Sequence, residues 1–512
     1  MALTRGTLQA QRFLGEGGAI HADATDRARL EELAGGRLRD ANLPAPNVSF
    51  DWVRPTVIVV SNSNLPGAGA PGQMWDGRGL NASVTTGVRG RFKLMGTSIW
   101  IDAIPTYTSS SNRPFQFFPG IEPLRSPFSS PFHAGRASAD LPLRFGDRPL
   151  RTIDFGQSSI TVRNSMLSVG VSTTNEWWGP ALRNTLVLSD NAAGIPRAFV
   201  RTAHPLRSRA GLFEGRLFSG SLTESAFFDH DQGNDHRSAS GVLLTFRPAL
   251  DTNFTVGLSR LVIARSAGPV PTVRHAFDAL SRWRPLLADA DSLADGRSPQ
   301  QSDQIASVFA RWVFPESGLE AYGEVARAEL PRSLREFVLA PRHSQGYTLG
   351  TQLVTPSGRG RAIRFQAELT YLEQSLVITG RQVPDFYTGR AATQGFTQRG
   401  QVLGAAIGPG GSEQFIGMDA LDKDWQLGAF IGRTRTENDA LYRQPNVTLA
   451  KHDVTIFSGA RGSARLPWSD VMGSVRVSRR MNYLFQSDFY YGDPVFAEDI
   501  QNVTFTVALT PR

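Results

Sequence analysis

Apolar and polar residues alternate along most of the chain. Val48, Phe50 and Trp52 are separated by Ser49 and Asp51, and Leu167, Val169 and Val171 by Ser168 and Gly170. The same rhythm returns at Phe254, Val256 and Leu258, and at Ile363, Phe365, Ala367, Leu369 and Tyr371. It returns again at Trp425, Leu427, Ala429 and Ile431, and at Val503, Phe505, Val507 and Leu509. A period of two places successive side chains on opposite faces of an extended chain, so these runs predict strands. Turn clusters such as Leu94-Met95-Gly96-Thr97 and Pro356-Ser357-Gly358-Arg359-Gly360 separate them. Longer polar or Pro-rich pieces, 110–150, 265–302 and 375–397, read as loops, with a short helix over His275–Arg282. Residues 1–46 differ: Asp26 to Leu33 is charged and helix-favouring, and Gly35-Gly36 stops it.

An all-β chain of 512 residues has to be closed somehow. A soluble sandwich rarely continues as one unit past about 250 residues. A propeller would repeat every ~40–50 residues, and no such repeat is visible. A membrane barrel also alternates, with apolar residues toward lipid and small or polar ones toward the lumen. The predicted runs are about 9–13 residues long, the length of a tilted membrane-crossing strand. Their second face carries Arg, Gln, Glu, Ser, Thr and Gly. Arg364, Gln366 and Glu368 are the candidate lumen-lining residues, as binding groups or as interior charge pairs. The expected fold is therefore all-β: a closed transmembrane antiparallel β-barrel of about 16–18 strands over 47–512, with a short N-terminal helical element over 1–46. Separate soluble β domains are the competing architecture.

Composition narrows the function. The net charge is +8, and nearly all the positive charge is Arg, since Lys occurs only at 93, 423 and 451. Arginines scattered through strands do not form the basic helix or cluster of a nucleic-acid binder, so no nucleic-acid partner is expected. They fit a positive lumen or rim that attracts an acidic partner. Cysteine is absent, which removes disulfides, thiolate metal sites and a Cys nucleophile. No run of apolar residues is long enough for a membrane-spanning helix. The opening MALTRGTLQAQRFLGEGG lacks the apolar centre of a signal peptide.

One segment is more specific than a strand pattern. Trp177-Trp178-Gly179-Pro180 is followed by Leu186-Val187-Leu188-Ser189-Asp190-Asn191-Ala192, then Ile195-Pro196 and the strand Arg197–Thr202. This resembles the signature of the Wzi-type capsule assembly family, with Ala181 where Gly is expected and Asp190 where Asn is expected. The resemblance is clearest over about 150–265. It implies an outer-membrane barrel of about 18 strands that binds capsular or other surface polysaccharide, helps attach it at the cell surface, and is not an enzyme. The implied partners are that polysaccharide and outer-membrane lipid, and the implied state is a monomer without cofactor. Because the family is exported and no signal peptide opens this chain, a truncated start is expected.

The segment has the chemistry for sugar. Aromatic faces stack on apolar C–H faces, and Asn, Asp and Arg hydrogen-bond hydroxyls. Arg also grips the carboxylate of an acidic sugar. The candidate polysaccharide-binding residues are Trp177, Trp178, Arg183, Asn184, Asp190, Asn191 and Arg201. The tryptophans have an architectural alternative, either an aromatic girdle or a fold-back of the barrel. Asp229, His230, Asp231, Asp235 and His236 are weak candidates for a cation, against the simpler reading as a hairpin loop. No G-x-S-x-G, H-E-x-x-H, P-loop or dinucleotide motif appears, so no enzyme is expected. A general or anion-favouring pore is the alternative function, and a barrel hydrolase a third.

Overall fold

The computed structural model describes residues 48–67, 69, 72–94, 96–117, 125–133, 137–266, 268–269, 275–280, 302–330, 334–358, 361–374, 385–422, 424–443, 451–485 and 499–511. The expected helical lead-in over 1–46 lies outside them. Eighteen strands form one closed antiparallel wall. They are β1 (Val48–Asn62), β2 (Gly79–Leu94), β3 (Thr97–Ala103, resumed at Thr106–Ser110), β4 (Leu150–Asp154, resumed at Ser159–Arg163), β5 (Leu167–Ser172) and β6 (Arg197–Thr202, resumed at Leu206–Arg207). Next come β7 (Gly211–Thr223), β8 (His236–Pro248), β9 (Phe254–Arg265), β10 (Ser302–Phe314), β11 (Leu319–Arg327) and β12 (Gln345–Pro356). The last six are β13 (Ala362–Tyr371), β14 (Ser412–Leu421), β15 (Trp425–Thr436), β16 (Asp453–Arg465), β17 (Ser469–Met481) and β18 (Ile500–Pro511). Each pairs with its sequence neighbours, and β1 pairs with β18 from Val57↔Leu509 to Asn62↔Thr504. That last ladder leaves no edge at the seam, as a membrane wall requires.

Alternation decides which way each residue faces. On β13 the side chains of Arg364, Gln366 and Glu368 are buried at 2–4% exposure, while Phe365 between them is 47% exposed. Charge inside and phenylalanine outside inverts the rule for soluble proteins and fits a barrel in lipid. Outward aromatics gather toward one end: Phe50 and Trp52 on β1, Trp312 on β10, Trp425 on β15, and Trp468 in a turn. At that end the connections are short, as in 314–319, 421–425 and 465–469. All the long connections lie at the other end, where several fold inward and fill the lumen.

The connection after β9 does something different. Val242 and Val262 pack with Ala279 from the 275–280 segment, and the outward-facing Arg260 is fully buried. Arg260 donates to the carbonyls of Asp278 and Ala279 and to Oε1 of Gln304. The segment thus lies over the outside of the wall and shields an arginine from lipid. Its described part is a pair of turns, Asp278 N–H to His275 and Leu280 N–H to Phe277, where a short helix is expected from sequence.

Candidate functional site

The tryptophan segment is the β5–β6 connection, residues 173–196. β5 is only six residues long before the chain leaves the wall at Ser172, and the chain rejoins it at Arg197. The chain turns into the lumen, and Trp178 pairs with Leu188 as a bridge across the fold-back. Trp178 is fully buried. Its ring lies 5.4 Å from that of Phe218 on β7, and its indole N–H donates to Oε2 of Glu176 at 2.9 Å. The girdle alternative therefore does not describe it, because the ring sits inside the barrel. Trp177 is half-buried and donates to the carbonyl of Ala181 at 3.0 Å. Gly179 has φ 135°, and a Cβ there would meet Oγ1 of Thr185 at 2.4 Å, so the motif needs glycine at this point.

Wall carboxylates hold the folded-in segment. Glu368 accepts from three successive backbone N–H groups, those of Leu182, Arg183 and Asn184, at 2.8 to 3.1 Å, and from the Tyr322 hydroxyl at 2.7 Å. Glu413 on β14 accepts from Nε of Arg183 and Nδ2 of Asn184, and the Arg183 guanidinium lies 4.0 Å over the Phe415 ring. Glu324 on β11 accepts from the N–H of Leu186. The β13–β14 connection repeats the device: Asp303 on β10 accepts from the N–H groups of Arg390, Ala391 and Ala392 at 2.8 to 3.0 Å. Successive N–H groups converging on one oxyanion form a nest, and here the wall supplies the anion.

Behind Trp178, Glu176 is bracketed by Arg197 at 2.7 Å and Arg216. Burial pushes its carboxyl up, but Arg216, Arg197 and the Trp178 indole outweigh burial and hold it at about 2. The two inserted connections also bind each other. Ser189 N–H donates to the Leu403 carbonyl and the Tyr387 hydroxyl donates to the Leu186 carbonyl, while Ala405 N–H, from the same connection as Tyr387, donates to that hydroxyl. With Leu186, Leu188, Phe386, Tyr387 and Phe396 they form an apolar core inside the barrel.

The remaining candidates are spread through this plug and the wall strands around it. Asn184 and Arg201 are buried. Asp190 is half-buried and its carbonyl accepts from Gly72 N–H. Asn191 is half-buried and donates to the Val402 carbonyl. On β13, Arg364 pairs with Asp419 at 2.6 Å, Arg461 of β16 joins the same carboxylate at 2.7 Å, and Gln366 accepts from Arg461. Asp229, His230, Asp231 and Asp235 belong to the β7–β8 connection, and His236 opens β8. Asp229 and Asp231 accept the N–H groups of Asp231 and Gly233, which shapes a turn. Among the described residues no three His, Asp or Glu side chains converge as a metal site.

Sequence reasoning missed a chain of half-buried rings across the long-loop end. Trp75 lies 4.6 Å from Phe145, Phe145 5.8 Å from Phe227, and Phe227 5.8 Å from Phe128. Phe128 continues to Phe117 at 6.0 Å and on to Phe115 at 5.8 Å. The signal was the density of Phe within 110–150, a stretch that otherwise reads as loop.

Comparison with known proteins agrees with this architecture. The model of the family "Capsule assembly protein Wzi" matches residues 134–457. The structure of Wzi from Escherichia coli, described as an outer membrane protein involved in group 1 capsule assembly and a carbohydrate-binding β-barrel, is similar over 99% of this chain and 97% of that one, with TM-score 0.56 and 13% identity. Pseudomonas aeruginosa OccK2 in complex with glucuronate matches over 91% of this chain and 96% of that one, with TM-score 0.43 and 8% identity. Pseudomonas aeruginosa OccK5 matches over 91% and 98%, with TM-score 0.41 and 9% identity. No curated protein matches. The matched region takes in the tryptophan motif, both inserted connections and most of the wall, and the chain is an outer-membrane β-barrel that belongs to the Wzi capsule assembly family.

Proposed function

We propose that this barrel binds capsular or other surface polysaccharide at its long-loop end and helps hold it at the cell surface. Family membership over 134–457 carries the reading. The geometry supports it in two ways. The lumen at the long-loop end is filled by a hydrogen-bonded plug with its own apolar core, which suits a platform better than a pore. Long loops of such barrels face the exterior, and there the ring chain from Trp75 to Phe115 offers stacking surface to sugar faces. Trp177, Arg183, Asp190 and Asn191 are the half-buried candidates for contact, while Trp178, Asn184 and Arg201 support them from within. Arg113, Arg148 and Arg399 are exposed and favour an acidic glycan. The reading includes no catalytic step.

The test is binding of the refolded barrel to the surface polysaccharide of its own bacterium, beside folded Phe227→Ala and Trp177→Ala variants. Saturable binding that weakens in the variants supports both the function and the site. Binding unchanged in both keeps the function and moves the site elsewhere. No binding at low salt, together with steady ion conductance in a planar bilayer, replaces the lectin with the pore.

A further inference from the structure

The wall has a notch. β5 is six residues long, whereas β2 has sixteen. At about 3.3 Å per residue and a tilt near 40°, six residues climb roughly 15 Å, short of an apolar band of about 25 Å. β4 climbs further. Beyond its interruption at 155–158 it continues as Leu150–Asp154, which pairs with Thr106–Ser110 of β3 and, among the described residues, with no strand on its other side. The β5–β6 connection that could have covered that side has already turned inward. Ile153 and Phe155 flank the gap and are 79% and 74% exposed. Ile153 stands about nine residues above the outward-facing Val162, roughly 20 Å of height and still inside the band.

Unpaired backbone N–H and C=O groups are not tolerated against hydrocarbon; at membrane depth they occur only where they line a polar space. Such a space lies behind the notch. Ser83, Thr85, Thr106 and Thr108 line it from the wall, and Asn175 and Gly194 line it from the departing connection. Its one lining carboxylate, Asp154, is held by Arg399 at 2.6 Å. Beside these hydroxyl and amide groups stand Ile58, Ala193 and Gly156, a mixed surface suited to the hydroxyls and C–H faces of a sugar rather than to a bare ion.

We propose that this notch is a sideways entry for the sugar head of an outer-leaflet glycolipid. The head would hydrogen-bond the cleft and the free edge of Leu150–Asp154, and its acyl chains would rest on Ile153 and Phe155. The inference rests on the reading that the barrel holds glycan, and it adds a lipid-borne form and a route. The experiment is amide hydrogen exchange of the barrel in phosphatidylcholine nanodiscs, with and without lipopolysaccharide from its own bacterium. Lipopolysaccharide is expected to slow exchange over 150–155 by about tenfold or more, and its deacylated sugar, added from solution, is expected not to. Thr152→Trp, which places a ring on the lumen side of the edge, is expected to abolish that slowing while soluble polysaccharide still binds. Exchange unmoved by lipopolysaccharide, or already equally slow in phosphatidylcholine alone, overturns the proposal. So does protection that survives Thr152→Trp. If instead the wild-type barrel fails to bind soluble polysaccharide while the edge is protected, the broader reading fails and the notch stands.

Discussion

Phe365 and Glu368 belong to one strand and face opposite surroundings. Phe365 looks outward, where its alternatives are lipid on one side and the neighbouring strands on the other. Glu368 looks inward and is the single acceptor for three backbone N–H groups of the plug. The wall is held by a ladder in which each rung has many equivalents, so no one side chain decides whether it closes. The plug has only a two-residue ladder, Thr397–Gln398 against Gln401–Val402, and one isolated bridge, so its attachment to the wall leans on a few carboxylates. Redundancy thus belongs to the wall and specificity to the plug, although both are built from the same eighteen strands and their connections.

The largest expected effect separates these two residues. Glu368→Ala leaves three backbone N–H groups and the Tyr322 hydroxyl without this acceptor and should cost about 3–5 kcal/mol. Phe365→Ala should cost about 1 kcal/mol, the scale of an ordinary substitution. Urea unfolding in lipid compares them, and equal midpoint shifts would break the contrast. Glu368→Ala should also raise ion conductance, because its loss frees the plug rather than the wall. Trp178→Ala comes next, at about 3–5 kcal/mol for a fully buried ring, whereas Trp177→Ala should change stability far less; matched losses would mean that both rings are core.

Two smaller effects depend on pH. Glu176 is held at about 2 in the fold, against 4.5 when unfolded. Its stabilisation is therefore complete above about 4.5 and disappears as pH falls toward 2. Glu176→Gln should flatten unfolding midpoints across that window. Glu224 runs the other way. Burial raises it, Gln394 partly opposes, and Asp229, Asp140 and Asp235 raise it further, to about 8. The folded state then binds the proton more tightly than the unfolded one, so stability falls as pH rises from about 4.5 through 8. Glu224→Gln should remove that slope. A slope that persists would assign it to another group.

The wall was legible because alternation is a local property: β13, β15 and β18 can each be read from their own residues. The inward face of Arg364, Gln366 and Glu368 was legible for the same reason. The partner of Glu368 was not, since nothing local joins it to residues 182–184, and a nest of backbone N–H groups leaves no side-chain signature. Trp178 was visible as unusual, but its burial depends on Phe218 arriving from β7, 40 positions on. Of the short helix expected over His275–Arg282, residues 275–280 show i→i+3 hydrogen bonds, with Arg260 donating to the carbonyls of Asp278 and Ala279. The ring chain was hidden because its members come from three separate connections and meet only when the loops converge.

The seam between the first and last wall strands also governs the order of assembly. Thr56 and Thr510, whose hydroxyls meet at 3.1 Å, are 454 positions apart. Pairings between such distant positions form slowly, because the intervening chain must be ordered before they contribute. Nearly the whole protein has therefore been synthesised before its cylinder can shut, and until then β1 and β18 are open edges able to pair with the wrong chain. Escort of the unclosed chain is thus a kinetic requirement, set by where one hydrogen-bonded seam falls in the sequence.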